Sequence, residues 1–119
     1  MPRKPIAVHE EYAVGPGQIR LSVFVGDRQY GTSMVFVDDE LLANGDVEEI
    51  PLGTGADLKD KKVTVYTVVT DIRDKKNEIS VAWLLTGGKK RMNIEKSGSA
   101  AKTFGSQMFK AVFKFTEDD

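Results

Sequence analysis

From Gln107 to Phe115 the chain reads Gln-Met-Phe-Lys-Ala-Val-Phe-Lys-Phe, placing Phe109, Ala111, Phe113 and Phe115 on every second position. Successive side chains of a strand point to opposite faces, whereas a helix would scatter these four around its circumference. The run therefore predicts a β-strand with one apolar face, and with Lys110 and Lys114 on the other. An apolar strand face has to be covered by a second layer. This feature narrows the fold more than any other.

The same alternation recurs along the chain. Lys62 to Thr70 and Glu78 to Thr86 are rich in β-branched residues and flank the polar run 71–77, the pattern of two strands joined by a hairpin loop. Setting Val65 opposite Trp83 also sets Val63 opposite Leu85 and Val69 opposite Ile79. All six then share one face, and a one-residue slip would break up that set. Tyr66, Val68 and Leu84 on the opposite faces are not polar, so both strands are expected to be central. Trp83, alternating with Val81 and Leu85, is expected in the core.

Gly15-Pro-Gly17 separates a strand over 6–14 from one over 19–25, and residues 26–31 punctuate before a strand over 33–37. Residues 38–43 read as one helical turn ended by Asn44-Gly45, a strong turn pair. Residues 47–52 read as a short edge strand, because Pro51 has no N–H to donate to a neighbouring strand and so argues against a central position. Residues 53–57 read as a loop, with Leu58 plugging the core. Gly87-Gly88 turns the chain into a short strand over 89–95, and residues 97–104 read as a loop. The sum is an all-β chain. The expected fold is one antiparallel β-sandwich domain of about eight strands spanning 1–119, immunoglobulin-like or jelly-roll in topology, with a partly closed barrel as the alternative.

Chemistry is scarce. There is no cysteine, which removes disulfides, thiolate metal sites and a cysteine nucleophile together. His9 is the single histidine and sits beside Glu10 and Glu11 on a terminal strand, where a surface role is expected. Zinc needs three or four ligands, and with no cysteine and one histidine no such site is expected, nor any other metal or cofactor. Calcium needs only oxygens, and Asp38, Asp39 and Glu40 would have to meet Asp71, Asp74 and Asn77 to hold it. Arg73, Lys75 and Lys76 in the second of these loops oppose a cation. Gly15-Pro-Gly17, Gly53-Thr-Gly55 and Gly87-Gly-Lys-Lys90 lack the pattern of a phosphate loop. The serines have no nucleophile-elbow context. Glu10-Glu11 and Glu48-Glu49 alternate across their strands, so neighbours face apart. Tyr30, in a polar loop, is expected to be exposed, and Tyr12, Phe24, Phe36, Tyr66 and Phe104 to be core.

The 17 basic and 18 acidic residues leave a net charge of -1, so no global field draws the chain to nucleic acid or to a membrane. Apolar runs of four or five residues are far short of the ~20 a membrane helix needs. The basic start at Met1-Pro-Arg-Lys-Pro has no apolar stretch behind it, unlike a signal peptide, and a cytoplasmic location is favoured. By elimination the expected function is a non-enzymatic protein-interaction or structural module. The alternative is a calcium- or carbohydrate-binding sandwich, and the third reading is a carboxylate-based hydrolase. One charge feature stands out: a hairpin built on Val65 and Trp83 would gather Lys61, Lys62, Lys89, Lys90 and Arg91 at its open end. That cluster is the expected docking patch for an acidic protein partner, set against its plainer reading as a solvated rim.

Overall fold

A computed structural model describes residues 6–26, 29–71, 78–99 and 106–117. Among them run nine strands: β1 (Ile6–Val14), β2 (Gln18–Val25), β3 (Gln29–Val37), β4 (Glu40–Gly45), β5 (Ile50–Thr54), β6 (Lys62–Asp71), β7 (Glu78–Thr86), β8 (Met92–Ser99) and β9 (Ser106–Glu117). A single helical turn, α1 (Gly55–Leu58), follows β5, with the Thr54 hydroxyl accepting from the Asp57 N–H at its start. The strands form a five-stranded sheet ordered β1-β9-β6-β3-β4 and a four-stranded sheet ordered β5-β2-β7-β8. The two sheets pack as a β-sandwich. Every pairing is antiparallel except that of β1 with β9, which is parallel.

The core lies between the sheets and is built by the predicted alternation. Val35, Val63, Val65, Val69, Phe109, Ala111, Phe113 and Phe115 face inward from the larger sheet, and Ile19, Leu21, Ile79, Val81, Trp83 and Leu85 from the smaller. Trp83 has no exposed surface and meets Phe109 edge to face, with ring centroids 6.3 Å apart. Leu58 closes one end of the core from α1. A buried hydroxyl pair, Ser33 Oγ to Thr67 Oγ1 at 2.8 Å, satisfies two polar groups that β3 and β6 turn inward.

The hairpin expected between β6 and β7 does not form. β6 lies between β3 and β9, so Val65 stands beside Val35 and Ala111. β7 lies between β2 and β8, so Trp83 stands beside Val23 and Ile94. Alternation states which face of a strand is buried, but not which strand lies beside it. Here the two apolar faces meet across the core instead of side by side in one sheet. Both strands are interior to their sheets, as their two-sided apolar pattern required. The joining residues 72–77 lie outside the described residues.

Other local expectations shift for similar reasons. Residues 40–45 form the edge strand β4, not part of a helical turn, because β3 offers them an unpaired edge and Asp38, at φ +51°, reverses the chain into it. β5 takes the edge position that Pro51 demands. β8 starts at Met92 and runs to Ser99, past its expected end, in register with β7. The remainder of the expected loop, with Phe104, lies outside the described residues, as does the side chain of Tyr30. Phe24 was expected in the core but is 51 % exposed, because Leu21 takes the inward side of β2 with Val23 and Val25. Phe36 lies half-buried on the outer face of its sheet, against Tyr66.

Candidate interaction surface

The five basic residues singled out by sequence gather at one end of the sandwich by a different route from the expected one. Lys61 precedes β6 and Lys89, Lys90 and Arg91 follow β7, and the two strands end at the same pole of facing layers. The ends of β9 and β1 lie between the two groups. Phe115 N–H donates to the Lys61 carbonyl, Phe115 stands beside Tyr12 in register, and Lys89 N–H donates to the Ala13 carbonyl. Lys61 and Lys62 therefore border the outer face of the larger sheet. Lys89 lines a separate hollow with Lys59, Pro16 and Ala56. Lys61 and Lys62 thus line one hollow and Lys89 another.

Tyr12 seals this pole. Its ring packs edge to face on Phe115 at 6.3 Å, and Gly88 N–H donates to its hydroxyl at 3.0 Å. Burial raises its pKa above the ordinary value of 10.0, against a smaller lowering by the Gly88 hydrogen bond. A raised pKa means that the native state holds this proton more tightly than the unfolded chain does. The contribution is complete below pH 10 and is lost as pH rises through the native value. Tyr12→Phe is expected to cost about 1 kcal/mol at neutral pH. Above pH 10 it should lose stability less steeply than the wild type. Urea midpoints between pH 7 and 11 test this, and parallel slopes for the two proteins would refute it.

The outer face of the five-stranded sheet carries the more informative surface. Strand register places Leu41, Phe36, Thr64, Val112 and His9 in one row across all five strands. The next row holds Asn44, Met34, Tyr66, Lys110 and Ala7, and on the other side Lys62, Lys114 and Glu11 line up. Met34 and Leu41 are 42 % and 51 % exposed. Lys110 Nζ lies 5.7 Å from the Tyr66 ring centroid, in cation–π range. Two hollows cut into this face and share His9, Lys62 and Val112. One, of about 590 Å³, extends to Asp60, Lys61 and Lys114; the other, of about 460 Å³, extends to Phe36, Asp39 and Tyr66. Sequence reading missed the row as a surface. Its signal was present in Met34-Val-Phe-Val37, which is apolar on both faces of a strand.

His9, Glu10 and Glu11 all line one hollow with Asp60, although Glu10 and Glu11 were expected to face apart; the calcium candidates are not brought together. Asp38 Oδ1 accepts from the Lys62 N–H at the start of β6, whereas Asp71 closes the same ten-residue strand, roughly 30 Å away at ~3.3 Å per residue. Asp38 and Asp71 therefore stand at opposite ends of β6, and Asp74 and Asn77 lie outside the described residues. Among the described residues no group of three or more His, Asp and Glu side chains is placed to hold a metal ion. Glu10 and Glu11 lie on the edge strand β1, while Glu48 lines a hollow beside Gly31, Ser33 and Gly45 at the opposite edge. Phe36 and Tyr66 meet edge to face at 86° on this outer face.

No protein-family model matches the chain, and neither the curated proteins nor the solved structures contain a match. Among the described residues no helix is long and apolar enough to cross a membrane.

Proposed function

We propose that the protein is a non-enzymatic interaction module that holds a protein partner on the outer face of its five-stranded sheet. The carrying observation is the row Leu41, Phe36, Thr64 and Val112 with neighbouring Met34, in which exposed Leu41 and Met34 and half-buried Phe36 and Val112 form an apolar group around buried Thr64, bordered by lysines. Scattered exposed apolar residues are ordinary, but a contiguous group rimmed by polar residues is the mark of a contact surface. A sheet is also a rigid base on which such a group keeps its geometry. The spatial order β9-β6-β3-β4 is that of the G-F-C-C′ strands of a variable-type immunoglobulin sheet, but β7 and β8 lie between β6 and β9 in the chain where F and G are consecutive, so the immunoglobulin-like reading rests on sheet order alone.

Site-specific photo-crosslinking in the source cells tests the reading. A benzophenone side chain at Leu41 should trap a discrete protein species. The same group at exposed Asn93, on the four-stranded sheet, should not. Equal trapping at both positions, or none at Leu41, would refute it.

A further inference from the structure

The charges on the outer face of the larger sheet are sorted. The outward-pointing charged residues of the interior strands β6 and β9 are Lys62, Lys110 and Lys114, all basic. The acids lie around the border of this face: Glu10 and Glu11 on the edge strand β1, Asp38 and Asp39 in the turn that leads to the edge strand β4, and Asp60 just before β6, in the hollow that Lys62 and Lys114 line. Lys62 and Lys114 run along one side of the apolar row and Lys110 along the other. With strands ~4.8 Å apart, the four gaps from β4 to β1 make the row about 19 Å long. That is the length of roughly six extended residues or three and a half helical turns.

We infer that the occupant of this face is a short acidic protein segment, with apolar anchors along its middle and carboxylates on both sides. The inference rests on the interaction reading above and names the chemistry of its partner. The apolar anchors cover Leu41, Phe36 and Val112, and the flanking carboxylates meet Lys62 and Lys114 on one side and Lys110 on the other. A long polyanion fits the surface less well, because a backbone following the row would run into Glu11 at one end and Asp38 and Asp39 at the other. Charge complementarity of this sort sets partner choice and association rate more than total affinity.

The experiment pans a display library of random 16-residue peptides on the folded wild-type protein. A synthetic copy of the most enriched peptide is then titrated against three proteins: wild type, Lys62→Glu/Lys110→Glu/Lys114→Glu, and Leu41→Asp. All substituted positions lie on the outer face, and circular dichroism checks that each variant keeps its β spectrum. The expected peptides are net negative, with Asp or Glu on both sides of Leu, Met, Phe or Trp. Their binding should weaken about tenfold or more in the triple variant, as three exposed ion pairs turned repulsive imply, and should also weaken in Leu41→Asp. Neutral or basic peptides that are sensitive to Leu41→Asp but not to the lysine changes would overturn the acidic inference and leave the interaction face standing. Peptides indifferent to both variants, or no enrichment at all, would overturn both. Lysine-dependent binding of a 30-nucleotide single strand or of phosphatidylserine vesicles as tight as that of the peptide would show a general polyanion surface and overturn the proposal. So would sedimentation showing a dimer that Leu41→Asp dissolves, since the face would then belong to a second copy.

Discussion

Trp83→Ala should lower the unfolding free energy by about 3–5 kcal/mol, the usual cost of removing a fully buried large aromatic. For a domain of this size the melting temperature should fall by on the order of 10–20 °C. Trp83 sits mid-strand on β7 and faces the larger sheet with no exposed surface. Its ring packs edge to face on Phe109 of the opposite layer, so alanine would leave a cavity between two sheets whose backbones are fixed by their own hydrogen bonds. Relaxation into that space is limited, which is what makes such cavities costly. The indole Nε1 has no hydrogen-bond partner among the described residues. Trp83→Phe would remove that buried donor and keep most of the ring, and should cost no more than about 1.5 kcal/mol. Urea unfolding measures both. The emission of wild-type Trp83 should be blue-shifted and shielded from iodide. A loss below about 1 kcal/mol in Trp83→Ala would mean that the tryptophan does not bridge the layers.

That residue also shows how much of the fold was legible. Its burial followed from alternation with Val81 and Leu85, and the same signal placed Phe109, Ala111, Phe113 and Phe115 in the core. Strand partnership was not legible. Val65 and Trp83 look like neighbours in a hairpin because both belong to buried faces, yet those faces belong to different sheets. Periodicity is a property of one strand, whereas pairing depends on the twist and on connections such as residues 72–77. β4 was missed because Glu40-Leu41-Leu42-Ala43 carries ordinary helix formers. Only the vacant edge of β3, a tertiary feature, turns them into a strand. Phe24 was misplaced because a strand with Phe on one face and Leu and Val on the other gives alternation no means of choosing between them.

The surface was legible to a lesser degree. Residues 61–62 and 89–91 flank the start of β6 and the end of β7, and strands that succeed each other in opposite directions bring those ends to one pole whether they share a sheet or not. Their division by the ends of β1 and β9 was not visible, because the parallel pairing of the first and last strands is the most non-local contact in the chain. The apolar row needed that pairing as well. Leu41, Phe36, Val112 and His9 come from four separate strands, and only the assembled register sets them side by side.

Gly87→Ala is the other substitution with a large expected effect, and Gly45→Ala is its control. Both glycines have positive φ, +95° at Gly87 and +109° at Gly45, where a residue with a Cβ is strained. Their surroundings differ. A Cβ on Gly45 meets nothing within 4 Å, so alanine there carries only the backbone cost, roughly 1–3 kcal/mol. At Gly87, where β7 turns toward β8, the Cβ would clash with the carbonyl oxygen of Gln18 and sit 3.3 Å from the Ile19 Cα. Those atoms are backbone at the start of β2 and cannot rotate away. Alanine must push β2 from the turn just beyond the pairing of Arg20 with Thr86, adding an overpacking cost of about 1–3 kcal/mol. Gly87→Ala should therefore lose about 4 kcal/mol in total, about twice the loss of Gly45→Ala. Amide exchange at Ile19 and Leu21 should quicken in the Gly87 variant alone. Equal losses in the two variants, with unchanged exchange in β2, would show that the turn does not press on β2 as closely as the structure places it.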